Sequence, residues 1–287
     1  MPEIQADLHL HTKFSDGTMT PTELIRLCVD RGLKVISISD HDTTNGLPET
    51  FAAAKSYPDL TIIPGIELST DVPGGEIHVL GYFVDHNDSE LQKVLQTFRD
   101  GREGRAEGMV KRLGEMDVNI SWERVKGIAG DASIGRPHIA QALVEAGYVE
   151  YPKDAFDKYI GREGPAYVER MKLTPEDAIK LLLHHGAVPV MAHPTYSESK
   201  SDRDEVGSLT ETLAGLKEAG LVGMEVYYGD YTLEQIGYLK ELADKFDLIP
   251  CGGSDYHASG NPNEPEPGMA GPPLSTVVAL RAAKDRM

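Results

Sequence analysis

Two histidines, His9 and His11, stand one residue apart in the stretch Asp7–Gly17, which reads DLHLHTKFSDG. Successive side chains of a β-strand point to opposite faces, so a strand over Ile4–His11 would place Asp7, His9 and His11 on one face. Imidazole and carboxylate groups are common ligands of divalent metal ions. A histidine on a strand is more often a packed or surface residue than a ligand, so this stretch alone only suggests a metal site.

Further ligand-type residues lie within or just after other apolar runs of the chain. Together with Asp16, which follows the first run, they are His41, Glu67, His78, His193, Asp255 and His257. The carboxyl ends of parallel strands meet at one edge of an α/β fold, and imidazoles and carboxylates crowded there need a compensating charge. We therefore predict a divalent metal centre. Because nine ligands are too many for one ion, we expect two or three ions that share carboxylates.

The ligand types also narrow the identity of the metal. The set contains no thiolate, which favours manganese, with iron, zinc or magnesium as alternatives, over copper(I) or iron–sulfur chemistry. The two cysteines, Cys28 and Cys251, lie far apart in sequence and lack CxxC spacing. Neither a disulfide framework nor a thiolate metal site is expected.

Seven short apolar runs are the predicted strands that position these residues. They are Ile4–His11, Val35–Asp40, Thr61–Glu67, Ile77–Phe83, Val188–Ala192, Gly223–Tyr227 and Leu248–Gly252. They alternate with helical patterns, which is typical of a mostly parallel α/β fold. Capping boxes at Thr20–Glu23 and Thr232–Gln235, and a weaker version at Thr174–Asp177, mark helix starts. Gly260–Pro273, rich in proline, glycine and asparagine, is a predicted loop.

The alternation stops between Asp88 and Lys172, where only helical patterns such as Leu91–Met116 and Gly135–Gly147 occur. Residues 99–172 contain 13 Lys/Arg and 13 Asp/Glu, whereas the whole chain has a net charge of −18. This neutral segment indicates a separate module, although a chance difference in surface composition is an equal alternative. We predict a barrel or sheet made of residues 1–98 and 173–287, interrupted by a helical insertion domain over residues 99–172.

Composition excludes several classes of function. A net charge of −18 argues against a general surface for duplex nucleic acid. No apolar run approaches the roughly 18 residues that a membrane span needs, and the N-terminus lacks a secretion signal pattern. We therefore expect no membrane association and a cytoplasmic location. The sequence makes no prediction of oligomeric state.

The motifs DLHLHTKFSDG, SDHD, GIELS, AHP and GSDYH occur in an order that resembles the polymerase-and-histidinol-phosphatase (PHP) family of phosphoesterases. The runs GRPHIAQALVEAGY and GREGPAYV resemble the branch with a helical insertion that hydrolyses nucleoside 3′,5′-bisphosphates. That branch also includes enzymes that trim short RNA from the 5′ end. The resemblance implies a distorted seven-stranded β/α barrel with a helical insertion domain that caps the substrate.

The resemblance also implies how the nine ligands divide among three ions. The first ion would bind His9, His11, Glu67 and Asp255. The second would share Glu67 and add His78 and His193, and the third would bind Asp16, His41 and His257. Some family members have histidine where Asp16 stands. Of these residues, His193, His257 and Asp16 are the predicted catalytic residues, as members of the metal centre.

A bisphosphate substrate also needs a site for its second phosphate. Arg136 and His138 begin a predicted helix, where an arginine fork and the helix dipole favour phosphate, and Arg162 is a third candidate. The alternative is that these are a solvated arginine and a packing histidine. The branch would have a histidine-containing loop where this chain reads Tyr227–Asp230, so we assign no substrate contact there.

Other reactive side chains carry weaker predictions. His86, His184 and His185 are not expected at the site, and the last two lie near the end of a predicted helix, Pro175–His185. Ser15 and Ser254 lack the surroundings of a serine nucleophile. Tyr167 and Tyr228 could stack on a base, although packing is the commoner role of an aromatic residue.

The expected function is that of a metal-dependent phosphoric monoester hydrolase. It would remove the 3′-phosphate of nucleoside 3′,5′-bisphosphates to leave 5′-monophosphates, and would extend to short 5′-phosphorylated RNA. Hydroxide activated by the metal ions would attack phosphorus, and either bound water or a nearby histidine would protonate the leaving sugar oxygen. The alternatives are a phosphatase for a non-nucleotide monoester such as histidinol phosphate, and a non-catalytic metal-binding module.

Overall fold

Seven strands form one sheet in chain order in the computed structural model, which describes residues 4–72, 75–169, 173–194, 206–261 and 263–287. They are β1 Ala6–Leu10, β2 Val35–Ile38, β3 Thr61–Val72, β4 Gly75–Tyr82, β5 Val188–Met191, β6 Gly223–Tyr228 and β7 Ile249–Gly253. Leu10 pairs with Tyr256, just beyond β7, so the sheet curls into a nearly closed barrel. The predicted α/β barrel of seven strands is confirmed.

Ten α-helices and one π-helical turn accompany the strands in the described residues. The helices are α1 Pro21–Asp30, α2 Leu47–Ala54, α3 Ser89–Glu115, α4 Trp122–Ala129, α5 Arg136–Glu145, α6 Pro152–Ala155, α7 Pro175–His184, α8 Val206–Ala219, α9 Leu233–Lys245 and α10 Leu274–Lys284, and the π-helical turn is Phe156–Ile160. Thr20, Thr174 and Thr232 cap α1, α7 and α9 as predicted, because each hydroxyl accepts a backbone N–H of the first turn.

Strand β4 is the exception to the parallel arrangement. It runs antiparallel to both β3 and β5, whereas the other neighbouring pairs are parallel. The beginning of β4 therefore lies at the barrel edge where the parallel strands end. This reversal pairs His78 with Ser69 and brings it beside Glu67 in the same part of β3.

Two hydrophobic clusters hold the barrel together. One draws on strand residues and on Leu280 of α10 and fills one end of the barrel interior. The other packs the sheet against the surrounding helices. Leu8 belongs to the interior cluster and Leu10 to the helix-facing one, because β1 shifts its register against β2 between Asp7 and Leu10. The regular alternation that we predicted for this strand is therefore wrong.

The helices between β4 and α7 have a hydrophobic cluster of their own, formed from residues between Ala106 and Val168. Helix α3 joins it to the barrel, because Leu91 and Leu95 pack in the helix-facing barrel cluster while Met109 and Leu113 pack in the second one. The predicted boundary after residue 98 thus falls inside a continuous helix. Among the described residues, no helix combines the length and the apolar character that crossing a bilayer requires.

Candidate metal centre

Glu67 lies at the middle of a cluster that contains all nine predicted ligands. Its Oε2 atom is 3.2 Å from Nε2 of both His9 and His11 and 3.1 Å from Nδ1 of His41. Its Oε1 atom is 2.9 Å from Nδ1 of His78 and 3.1 Å from Nε2 of His193. One carboxylate therefore touches five imidazoles, an arrangement suited to bridging two cations.

Three overlapping groups of ligand atoms are close enough to hold an ion each. They are His9, His11, Glu67 and Asp255; His11, Asp16, His41 and His257; and His41, Glu67 and His78. The first group has the predicted membership, and the second adds His11 to the predicted set. In the third group His41 stands where His193 was expected, although His193 also contacts Glu67.

Five buried atoms of this cluster have no hydrogen-bond partner within the described residues. They are Nε2 of His9, Nε2 of His11, Oδ1 of Asp16, Oε2 of Glu67 and Oδ1 of Asp255. Buried polar atoms without partners cost free energy, and here they face each other. Imidazole nitrogens and carboxylate oxygens turned toward a shared space fit divalent metal ions, and these residues would hold them.

The electrostatics of the cluster favour charged carboxylates. Burial alone would raise the pKa of Glu67, but the imidazoles of His41, His9 and His78 hold it well below its ordinary range. Burial would likewise raise the pKa of Asp16, but His41 and His257 hold it well below its ordinary range. Burial lowers the pKa of His41 to about 3, so this ring stays neutral and keeps a lone pair for coordination.

The backbone at two site residues is unusual. His193 follows β5 with φ of 26°, and Asp255 follows β7 with φ of 55°, both in the region that residues with side chains rarely adopt. Gly253, just before this turn, must lack a side chain because a Cβ atom would lie 2.4 Å from the His9 backbone nitrogen. Such strain persists only where surrounding contacts hold it, and it is common at functional sites.

The predicted phosphate ligands already have protein partners. Arg136 donates from Nη2 to Oε2 of Glu76 at 2.8 Å, and Arg162 donates from Nη1 to the carbonyl oxygen of Gly75 at 2.8 Å. His138 is buried, and its Nδ1 accepts the backbone N–H of Gly135 at the start of α5. These contacts place Arg136 and Arg162 against the beginning of β4, at Glu76 and Gly75, two and three residues before His78.

Asp7 and Asp40 are buried carboxylates of the motifs that lie outside the ligand groups. Asp7 accepts the backbone N–H groups of Ser254 and Gly268, so it fixes the chain after β7, and it lies outside the ligand groups that contain His9 and His11. Asp40 accepts the Ser15 hydroxyl at 2.7 Å and the Thr12 backbone N–H at 2.7 Å. It thereby holds the loop that carries Asp16.

Several functional residues escaped sequence reasoning. Glu225 is fully buried on β6, and its Oε1 lies 3.1 Å from Nδ1 of His9. The sequence feature that could have indicated it is an acidic residue inside an apolar strand. Glu76 forms ion pairs with Arg105 and Arg136. The sequence feature that could have indicated it is its position two residues before His78. Arg102 donates to Asp42 and Ser69, but nothing in the charged pattern of α3 distinguishes it from its neighbours.

The structure also shows where the other histidines and tyrosines considered in the sequence lie. His185 contacts Asp88, with 2.6 Å between Nδ1 and Oδ2, and His86 packs near Phe51, so neither joins the cluster. Tyr167 stacks with Arg105 in the insertion. Tyr228, in the stretch to which we assigned no contact, donates its hydroxyl to Oδ2 of Asp255 at 2.9 Å.

Comparison with known proteins agrees with this architecture. The PHP domain family matches residues 7–130. The 3′,5′-nucleoside bisphosphate phosphatase of Chromobacterium violaceum is 32% identical over 262 residues, which cover 88% of this chain and 87% of that protein. The 5′-3′ exoribonuclease Rnm of Escherichia coli is 32% identical over 253 residues, covering 88% and 84%.

Solved structures show the same likeness. A candidate metal-dependent phosphoesterase from Bifidobacterium adolescentis has a TM-score of 0.86 and 30% identity, covering 98% of this chain and 97% of that one. The match thus spans the segments of this chain that form the barrel and the helices between β4 and α7. The chain belongs to the PHP family of metal-dependent phosphoesterases.

Proposed function

We propose that this protein removes the 3′-phosphate of nucleoside 3′,5′-bisphosphates and leaves 5′-monophosphates. Short 5′-phosphorylated oligonucleotides would be further substrates. The names of the C. violaceum and E. coli relatives support these two substrate classes. The observation that carries the proposal is a cavity that adjoins the ligand cluster and is walled on its far side by the insertion.

The cavity has a volume of about 520 Å³, within the range of small-molecule sites. Asp16 lines it on the cluster side, and residues 128–132, Pro137, His138 and Gln141 line it on the insertion side. Phe14, Ile128 and Pro137 give it apolar surface for a nucleobase, while Gln141 and Asp131 supply polar edges. A hydrogen bond from the Ser133 N–H to the Phe14 carbonyl, 3.0 Å long, ties the two walls together.

The cation that faces this cavity is Lys13. It is the one lysine or arginine among the lining residues. Its ammonium group lies 5.8 Å from the centre of the Phe14 ring, and no hydrogen bond or ion pair is found for it within the described residues. Arg136, in contrast, is paired with Glu76. We therefore add Lys13 to Arg136, His138 and Arg162 as a candidate for binding the phosphate that is not hydrolysed.

The nine cluster residues would hold the ions, which when bound would lower the pKa of water and neutralise charge on the phosphoryl oxygens. Protein nucleophiles are not favoured here. Ser15 is buried and donates its hydroxyl to Asp40, and Ser254 is buried as well. Water would thus be the attacking group, and Asp16, His193 and His257 would act as members of the metal centre that positions it.

The decisive experiment is a substrate panel with Mn²⁺-loaded protein. The panel contains a nucleoside 3′,5′-bisphosphate, a 5′-monophosphate, histidinol phosphate and a short 5′-phosphorylated RNA. We expect phosphate release from the bisphosphate and slower trimming of the RNA, with little turnover of the others. Preferred turnover of histidinol phosphate would contradict the nucleotide proposal. If metal-loaded protein turns over none of the substrates, the proposal that the protein is an enzyme is wrong.

Lys13 has its own test. We expect Lys13→Met to raise KM for the bisphosphate about tenfold, the cost of losing a charge-assisted hydrogen bond of roughly 1.4 kcal/mol. KM for a nucleoside 3′-monophosphate, which lacks the second phosphate, should stay unchanged. Lys180→Met, at an exposed lysine of α7 far along the chain, is the matched control. If Arg136→Ala raises KM for the bisphosphate more than Lys13→Met does, and leaves KM for the 3′-monophosphate unchanged, the second phosphate binds Arg136.

A further inference from the structure

Strand β6 contributes none of the nine ligands, yet two of its side chains contact three of them. Glu225 is fully buried, and its Oε1 lies 3.1 Å from Nδ1 of His9. Its Oε2 accepts the backbone N–H of His193 at 2.7 Å. One carboxylate therefore directs Nε2 of His9 toward the cluster and holds the backbone of His193.

Tyr228 contacts Asp255, another member of the ligand group that contains His9. Its hydroxyl donates to Oδ2 of Asp255 at 2.9 Å. This bond occupies one carboxylate oxygen and leaves Oδ1 facing Nε2 of His9 at 3.2 Å and of His11 at 3.0 Å. Asp255 is thus presented to the cluster through a single oxygen atom.

An irregularity in β6 lets both side chains face the cluster. Residues three apart on a regular strand point to opposite faces. Between Glu225 and Tyr227, however, the register of β6 against β7 shifts, and Val226 and Tyr227 both pack toward the helix-facing cluster. Bulges of this kind re-aim side chains beside functional sites.

The two contacts fall on strained positions. His193 and Asp255 both have positive φ. The backbone N–H of His193 donates to Glu225, and the carboxylate of Asp255 accepts the hydroxyl of Tyr228. A side chain that fixes the orientation of a metal ligand strengthens metal binding, typically 10–100-fold. Two of the three contacts with β6 thus lie at ligands with an unusual backbone conformation, and the third, at His9, fixes the orientation of the ring.

We propose that Glu225 and Tyr228 are positioning residues that orient His9, Asp255 and His193 for the ion of the group His9, His11, Glu67 and Asp255. The role concerns how this chain holds its metal and does not depend on which phosphate ester it hydrolyses. It also gives a function to the stretch Tyr227–Asp230, which carries no ligand.

The test is a Co²⁺ titration of the full-length, metal-free protein, followed by visible absorption. We expect Tyr228→Phe to weaken Co²⁺ binding about tenfold and to change the d–d spectrum, since Asp255 is then free to rotate. Glu225→Gln should weaken binding by between about 10- and 100-fold. Tyr227→Phe is the matched control, because this neighbouring ring packs near Lys240 and should leave affinity and spectrum unchanged.

Thermal unfolding of the metal-free variants separates positioning from mere stability. Under the proposal, metal-free Tyr228→Phe unfolds close to the wild-type temperature while its Co²⁺ affinity falls. If Tyr228→Phe binds Co²⁺ with wild-type affinity and spectrum, the proposal is wrong, whatever happens to stability. Because Tyr228→Phe removes only one oxygen atom, this test stands even if Glu225→Gln fails to fold.

Discussion

His41 is one of three residues, with His11 and Glu67, that each belong to two of the three ligand groups. Its ring belongs to the group with Asp16 and His257 and also to the group with Glu67 and His78. Burial lowers its pKa to about 3, so at neutral pH it has no proton to lose before it coordinates. A ligand that serves two neighbouring positions should matter more than one that serves a single ion.

We therefore expect His41→Ala to lose at least one equivalent of metal and to lower phosphoesterase activity. Plasma mass spectrometry of protein purified in Mn²⁺ would measure the metal content. His184→Ala, at an exposed histidine of α7, is the control and should retain wild-type metal content. Equal metal content in the two variants would contradict the role of His41.

At the scale of elements, helix α3 connects the barrel with the helical insertion, because its residues pack in both hydrophobic clusters. Its Arg102 side chain reaches into the barrel edge, where it donates from Nε to Asp42 and from Nη2 to Ser69. Asp42 directly follows His41 and is almost completely buried. This ion pair therefore connects the insertion with a loop of the metal centre.

Arg102→Met should lower the free energy of unfolding by about 3 kcal/mol, because it removes the buried ion pair with Asp42. Urea denaturation monitored by circular dichroism would measure the loss. The matched control is Arg124→Met, which removes an exposed ion pair with Glu145 and should cost less than about 1 kcal/mol. Equal losses in the two variants would argue that the Arg102 pair gains nothing from burial.

The other end of α3 has a pH-dependent contact. Asp88 caps the helix through the N–H groups of Glu90 and Leu91 and also contacts His185 at the end of α7. The hydrogen bond with His185, followed by the one from Leu91, lowers the pKa of Asp88 below 3.8. A lowered carboxyl pKa gives stability that is present above the ordinary pKa and is lost as pH falls through the native one.

Asp88→Asn should therefore reduce stability at pH 7, and its difference from wild type should shrink as the pH approaches 3. Urea denaturation of metal-free protein at several pH values between 3 and 7 would follow the difference. A difference that stays constant over this range would show that the charge of Asp88 contributes nothing and that its capping geometry is sufficient.

At the scale of the whole molecule, a chain with a net charge of −18 gathers six histidines and three carboxylates at one end of its barrel. The opposite end is filled by apolar side chains. Ions bound between these ligands stabilise the native state, because the ligands are brought together only when the barrel closes.

Removal of the metal should consequently lower the unfolding temperature. At a free metal concentration 100 times Kd, binding adds about 2.7 kcal/mol to the stability, which corresponds to several degrees for a chain of this size. Calorimetry before and after chelation, and after Mn²⁺ is restored, would measure the shift. Glu67→Gln, which weakens the central bridge, should show a much smaller response to Mn²⁺.

The sequence by itself determined the local features of this protein. Alternation of apolar runs, capping boxes and ligand-type residues predicted the seven strands, three helix starts and the nine residues that gather around Glu67. These features were readable because a strand period, a helix cap and the chemistry of an imidazole each depend on only a few neighbouring residues.

Only the tertiary structure decided how these features face each other. It reversed β4 so that His78 meets Glu67, directed the Asp7 carboxylate to backbone N–H groups after β7, and paired Arg136 with Glu76. It also shifted β6 so that Glu225 and Tyr228 both reach the cluster. Strand direction, register shifts and ion pairs between distant segments depend on packing across the whole barrel, which a local pattern does not contain.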